Sequence, residues 1–463
     1  MSNPDDNLGR IVGDIANILF GLENNNADHA KRWLYDAWQM IMTGAVTPVT
    51  QAYIDRCSEG GFAMHHDNKS LFVKKLPNQQ AAEQQYAFAR RYSSAGNYLM
   101  MKAETPFIYQ DKGLVLYLVH FARGMDLGAF FLEASKKRSA DNFVKQVTEK
   151  CIDDLAFWQG DAGNAMAARP AAPEDILGTM KENTLRSVRN AGIYGGISIS
   201  ELDLVLLERS LKIFDGLTFN QHTIVVGSDY CPKNMGIKTD SDKDDLASVM
   251  NVMSSNGVDP DPFEIATLIY HWDPSARWTH WLEDLAAFTT SYEFHNANRK
   301  TRLSDWLHKL CSARSSLDPS FKGWIAEQEP SRVHQELSLM ILYRALRKAD
   351  LTATLYAWRN ENIGQKICPA DYTSVSRSLD SQLSGYSATV GKAVRWLSEG
   401  YGPGRIYTPS TDKEAASIFS QYGAEIPVPV CLGFFNYLAQ KLRPWTISYP
   451  ALKQVKNPSE FAR

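Results

Sequence analysis

Apolar residues recur at helical spacing along most of this chain and give way to strand-like runs in a few places. Over 8–45, Ile11, Ile15, Ile18 and Leu19, then Trp33, Leu34, Trp38 and Ile41, mark two amphipathic helices broken at Asn24–Asp28. Packing on a neighbour accounts for them, and they carry no chemistry of their own. From 47 to 76 the pattern changes. Gln51–Cys57 and Phe62–His66 predict two strands around Glu59-Gly60-Gly61, and Ser70–Leu76 predicts a third. Gln79–Tyr92, rich in good helix formers, predicts a helix carrying Glu83. Thr105–Tyr109 and Gly113–Val119 predict two more strands, turning at Asp111–Gly113. A short link over 121–127 leads into helices at Leu127–Ser135, Asp141–Gln159, Pro173–Asn190 and Ile199–Phe214.

The β-branched run Ile224–Val226 predicts a short buried strand, with another at Met235–Ile237 and a third within Phe263–Trp272. A helix follows over Asp245–Met253 and another opens at Trp281. Residues 301–463 carry helical patterns such as Leu337–Leu346 and Phe434–Leu442, parted by turn clusters at Ser315–Pro319, Gly402–Gly404 and Pro427–Pro429. The fold class is therefore α+β: one small sheet, then a long helical remainder. No internal repeat of fixed period runs through it.

Composition narrows the function classes. A chain of 463 residues suggests about three domains. Hydrophobic content of 44% with 22% charged residues is ordinary for a soluble globular protein. A net charge of −3 argues against a dedicated nucleic-acid binder, with a local basic patch left open. The six cysteines (Cys57, Cys151, Cys231, Cys311, Cys368, Cys431) form no C-x-x-C pair or zinc spacing. They read as reduced and buried, which points to a cytoplasmic setting. Met1–Arg10 has no signal-peptide pattern and no apolar run reaches the length of a membrane span, although export by an unmarked route stays open.

The candidate chemistry centres on Thr223–Ile237. The strand at Ile224–Val226 delivers Asp229 into a tight loop holding Pro232, and Asn234 follows Asp229 by five positions. This is the spacing of a phosphoryl-transfer loop, in which an Asp takes or orients the proton of the attacking hydroxyl and an Asn holds magnesium. An ordinary polar turn has the same spacing, so the flanks decide. In a phosphotransferase a turn such as Gly60-Gly61 lets backbone amides approach phosphates, and a strand lysine, Lys74 or Lys75, reaches them. Lysines ending an edge strand, however, are commonly solvated. Glu83 could hold that lysine as an ion pair or stand as a solvated helix residue. Lys238–Asp245 lacks the glycine and glutamate of a calcium loop and reads as a solvated turn. His65-His66 and the His271/His280 pair have no convincing metal spacing.

The order of these features resembles the aminoglycoside-phosphotransferase branch of the protein-kinase-like superfamily, which includes choline, homoserine and maltose kinases. That branch commonly shows His-Gly-Asp-x-His-Pro-x-Asn. Asp229, Pro232 and Asn234 match in register, while Gly227 and Cys231 replace the two histidines. Glu283-Asp-Leu-Ala286 resembles the family's Asp-Leu-Ala helix start, and the likeness spans about residues 50–295. It implies a bilobal protein-kinase-like fold, with a sheet lobe over 47–122 and a helical lobe over 123–298; the helical segment over 1–46 and a C-terminal helical domain or lobe extension over 299–463 are read from their own patterns, outside the likeness. It implies ATP and Mg2+ as cofactors and a small-molecule or protein hydroxyl as acceptor. Lys74, or Lys75 after a one-residue slip, would bind the α- and β-phosphates near Gly60 and Gly61, with Glu83 orienting it. Leu116 to Val119 would edge the adenine, Asp229 would act on the hydroxyl, and Asn234 would hold the metal. At the second metal ligand strict register offers His271, and magnesium prefers oxygen. Either Asp273, two places on, supplies the carboxylate, or the register differs, or the site is degraded. A degraded site would make the protein a kinase-shaped scaffold.

Overall fold

The computed structural model describes residues 54–56, 61–66, 69–76, 109–111, 114–120, 124–137, 140–165, 170–195, 198–227, 229–238, 269–271, 277–291, 294, 297–298, 302–362, 389–399 and 406–442. The expected helices over 8–45, 79–92 and 245–253, and with them Gly60, Glu83 and Asp273, lie outside these residues. The chain divides into two compact units. One gathers 1–154, 164–168 and 232–276, and the other 155–163, 169–231 and 277–463.

In the first unit, β1 (Ile54–Arg56), β2 (Gly61–His66), β3 (Lys69–Leu76), β4 (Tyr109–Asp111) and β5 (Leu114–His120) form an antiparallel sheet in the order β1-β2-β3-β5-β4. β3 is thus an interior strand, which removes the alternative of lysines ending an edge strand. Long-range pairing with β5 encloses it, and local alternation carries no trace of that. Lys74 stands opposite Gly61 on one side and Tyr117 on the other, and Lys75 stands opposite Leu116.

A second sheet in this unit orders β6 (Gly124–Asp126), β8 (Met235–Lys238) and β9 (Ile269–His271) as β6-β8-β9. β6 occupies the stretch read from sequence as a link. Three residues with a glycine have no strand signature of their own, and pairing with β8, far along the chain, makes the strand. The helix α1 (Leu127–Ala134) follows β6 directly and lies against β8 and the 3-10 turn Pro232–Asn234. Phe130, Phe131, Met235 and Ile237 are buried there.

The helix α2 (Asp141–Ala165) runs six residues past its predicted end and carries a buried acid. Burial pushes the Asp154 carboxyl up to about 8 against the opposing pull of Lys150, 3.7 Å away. A carboxyl whose pKa is higher folded than unfolded takes up a proton on folding. Stability is therefore fully present below about pH 4 and is lost as pH rises through about 8. Asp154→Asn should abolish this slope and raise the thermal midpoint by several degrees at pH 8. Thermal unfolding at pH 5 and pH 8 checks this, and identical slopes in variant and wild type would refute it.

In the second unit, α3 (Pro173–Gly195) packs along α8 (Pro330–Asn362). The helix α4 (Glu201–Ser210) starts at a capping box, Ser200 with Asp203, and passes into a 3-10 segment, Leu211–Gly216. That shortens the helix expected to reach Phe214. Its cap is also a docking point. Asp203 takes Lys441 at 2.6 Å, and Lys441 also reaches Asp412. Arg209 donates to the backbone oxygens of Tyr422 and Gly423 at 2.9 and 2.7 Å. These contacts fasten α9 (Asp412–Ser420) and α10 (Val428–Lys441) to α4.

The helix α6 (Leu303–Leu317) runs through most of the predicted Ser315–Pro319 turn. Asp318 then caps α7 (Pro319–Ala326) by accepting from the amides of Ser320 and Phe321. Trp281, Phe321 and Trp324 form an edge-packed aromatic cluster with the Arg314 guanidinium 4.1 Å from the Phe321 ring centroid. Cys151 and Cys431 are buried, whereas Cys231 and Cys311 are only half-buried, so full burial of the cysteines does not hold for those two. Cys57 and Cys368 lie outside the described residues. Among the described residues no helix is long and apolar enough to cross a membrane.

Candidate functional site around Asp229

The site is built on a two-stranded ribbon in the second unit. β7 (Ile224–Gly227) pairs antiparallel with β10 (Arg277–His280), placing Gly227 opposite Arg277 and Val225 opposite Thr279. The ribbon continues into a bond from the Trp281 amide to the Thr223 carbonyl at 2.8 Å. β10 was absent from the sequence reading, because Arg-Trp-Thr-His has no alternation to mark it.

After β7 the chain turns sharply. Asp229 has φ 52°, the single positive value among the described non-glycine residues. Aspartate tolerates this left-handed region better than most residues. The loop is held from beneath by α5 (Glu283–Thr289): the Tyr230 amide donates to Asp284 Oδ1 at 3.2 Å, and the buried Tyr230 ring packs on Phe288 with centroids 5.6 Å apart. Gly227 is needed where it sits. A Cβ there would lie 2.5 Å from Thr279 Cγ2 and 3.3 Å from Asp284 Oδ2.

Beside the loop lies a cluster of opposite charges. Arg344 on α8 donates from Nη2 to Asp229 Oδ1 at 2.7 Å and from Nη1 to Glu283 Oε1 at 3.1 Å. Glu283, only 1% exposed, also takes Arg277 and the Thr279 hydroxyl, with Arg347 at 3.7 Å. Burial by itself would raise both carboxyls. The guanidinium charges overcome it: Arg344, Arg277 and Arg347 hold Asp229 well below the usual carboxylate range, and Arg277, Arg344 and Arg347 do the same to Glu283. Conversely, Arg344 and Arg277 are pushed up by the carboxylates despite burial. Asp229 is therefore a half-buried carboxylate whose ionised form is favoured, with Arg344 across one oxygen.

Of the other residues singled out from sequence, Asn234 is half-buried at the end of the Pro232–Asn234 turn, ahead of β8. It belongs to the first unit, and Asp229 belongs to the second. Gly61 opens β2, Lys74 and Lys75 lie on β3, and Leu116 and Val119 lie on β5, opposite Lys75 and Phe72. β9 pairs with β8 and places His271 opposite Met235. Among the described residues no three His, Cys, Asp or Glu side chains gather as a metal site. Of the metal positions, the Asn234 amide oxygen suits magnesium and a histidine nitrogen at 271 does not, while Asp273 lies outside the described residues.

Sequence reasoning passed over Arg277, Arg344 and Arg347, and noted Glu283 only within a helix start. Arg344 could not have been found by spacing, since it arrives from a helix more than a hundred residues after Asp229.

No protein-family profile matches the chain, and no curated protein matches it. Among the solved structures that bear a distant likeness are these two. One is an aminoglycoside-3'-phosphotransferase of type VIII, at 13% identity and a TM-score of 0.36, over 68% of this chain and 98% of that one. The other was described as an aminoglycoside phosphotransferase from Ralstonia eutropha, at 9% identity and a TM-score of 0.35, over 75% of this chain and 98% of that one.

Proposed function

We propose that the protein is a phosphotransferase that moves the γ-phosphoryl group of ATP to a hydroxyl of a small molecule or protein, with Asp229 orienting that hydroxyl. The observation that supports this reading is the Asp229 loop itself. A single non-glycine residue is held at positive φ, with its neighbour's amide and ring fixed by Asp284 and Phe288. Local strain kept in place from several sides is a common feature of functional side chains. The lowered pKa makes Asp229 a weak proton acceptor, which favours orientation and charge over storage of the proton. Arg344 is the positioning residue that fixes the carboxylate.

The rest of the assignment follows the sequence pattern. Lys74 or Lys75 would bind the α- and β-phosphates with the Gly60-Gly61 backbone, and Glu83 would orient the lysine. Leu116 to Val119 would edge the base. Asn234 would be one magnesium ligand and Asp273 the other, in a cytoplasmic protein without nucleic-acid partners.

A second reading, a catalytically weak, kinase-shaped binding or scaffold protein, is favoured by two observations: Arg344 occupies an oxygen of Asp229, and His271 stands in the metal register of β9. Thermal unfolding with ATP separates the readings. A ligand that binds only the folded protein stabilises it by mass action, about 2.7 kcal/mol at a hundred times its Kd. ATP with magnesium is expected to raise the midpoint, and Asn234→Ala to remove that rise. No shift with any nucleotide would sink the kinase reading.

A further inference from the structure

Away from Asp229, the second unit encloses a cavity of about 600 Å³ between the end of α5, the start of α6, one face of α8 and the helix over 389–399. Its floor is buried and mixed: Phe294, Trp306 and Ile341 are 4% exposed or less, and the Asn298 amide is 8% exposed. Its rim is cationic. Among the described residues Arg302, Lys392 and Arg395 line it, against one carboxylate, Glu399. Lys392 and Arg395 are three positions apart on one helix, and so share a face. Like charges so placed repel, and partial burial adds to the cost. Both effects lower the Lys392 ammonium pKa, burial first and then Arg395. The ring of Trp396 lines the same wall.

Aromatic surface beneath paired cations is what an organic anion with a flat body needs. The rings take the body, and the cations take its charge through charge-assisted hydrogen bonds. A volume of this size holds a small molecule and not a folded partner. Core packing explains Phe294 and Trp306 singly, but it does not explain an open cavity with two adjacent cations at its mouth.

We propose that this cavity binds a small aromatic or otherwise planar anion bearing a carboxylate or a phosphate, with Lys392 and Arg395 as its charge partners. The site is independent of the phosphotransferase reading, because none of its lining residues belongs to the Asp229 cluster.

The test is titration calorimetry on the full chain with phenyl phosphate, benzoate, phenol and inorganic phosphate. Phenyl phosphate or benzoate should bind one to one, more tightly than both phenol and inorganic phosphate. Whichever of the two binds more tightly identifies the anionic group. Lys392→Gln and Arg395→Gln should each weaken that binding by about tenfold. Arg395 is exposed and Lys392 half-buried, so both variants should keep the wild-type near-ultraviolet circular dichroism. Ser338→Leu, which fills the cavity from α8, should remove binding without touching the rim. The proposal is overturned if neither aromatic anion binds, if phenol or inorganic phosphate binds as tightly, or if the double variant Lys392→Gln/Arg395→Gln binds as wild type does.

Discussion

Glu283→Ala is expected to destabilise the protein by about 3–5 kcal/mol, the usual cost of removing one partner from a buried ion pair. Glu283 is 1% exposed and faces Arg277, Arg344 and Arg347. Its loss leaves three guanidinium groups crowded together with Asp229 as their remaining carboxylate in this cluster. Mutual repulsion then adds to the desolvation that Glu283 had offset. Glu283→Gln keeps the shape and removes the charge, so it should cost less than the alanine variant but still a clear amount.

The pH dependence follows from the sign of the shift. Glu283 and Asp229 both have folded-state pKa values below their unfolded ones. Their contribution is full above about pH 4–5 and is lost as pH falls through the depressed values. The alanine variant should therefore lose acid sensitivity along with stability. Urea unfolding at pH 7 and pH 4 measures both, and a loss below about 1 kcal/mol at pH 7 would refute the network's role.

On the proposed phosphotransferase reading, Asp229→Asn is expected to reduce phosphoryl transfer by about a hundred- to ten-thousandfold, the range associated with losing a positioned acid–base group. The amide keeps the size of the side chain and can still accept from Arg344, so the loop should persist. The nucleotide-induced rise in midpoint should therefore survive in Asp229→Asn even though turnover falls. That pairing separates chemistry from binding. Arg344→Gln tests the positioning role. Removing the cation at 2.7 Å lets the Asp229 pKa rise, so an acid limb of the turnover profile should move to higher pH. Turnover in Asp229→Asn equal to wild type would remove Asp229 from the reaction, and absence of turnover in the wild type would leave the scaffold reading.

The legible part of this protein is the part that neighbours in sequence determine. The Ile224–Val226 run marked β7, the glycine pair and apolar alternation marked β2 and β3, and the helix starting near Trp281 needed only its own periodicity. Asp229 and Asn234 stood out because a short loop carries both. β6 and β10 did not stand out, since each is three or four residues long and exists through a distant partner.

The chain's own order of residues was enough to mark β2, β3, β7 and the loop that bears Asp229. Only the tertiary structure decided what that carboxylate meets. Hydrophobic period acts over one or two turns, and it drove α8 to bury Leu342, Tyr343 and Leu346. The electrostatic consequence, Arg344 set against Asp229 and Glu283, depends on where the packed helix comes to rest against the β7–β10 ribbon. Charge acts through space at a few ångströms, and separation along the chain does not encode that distance.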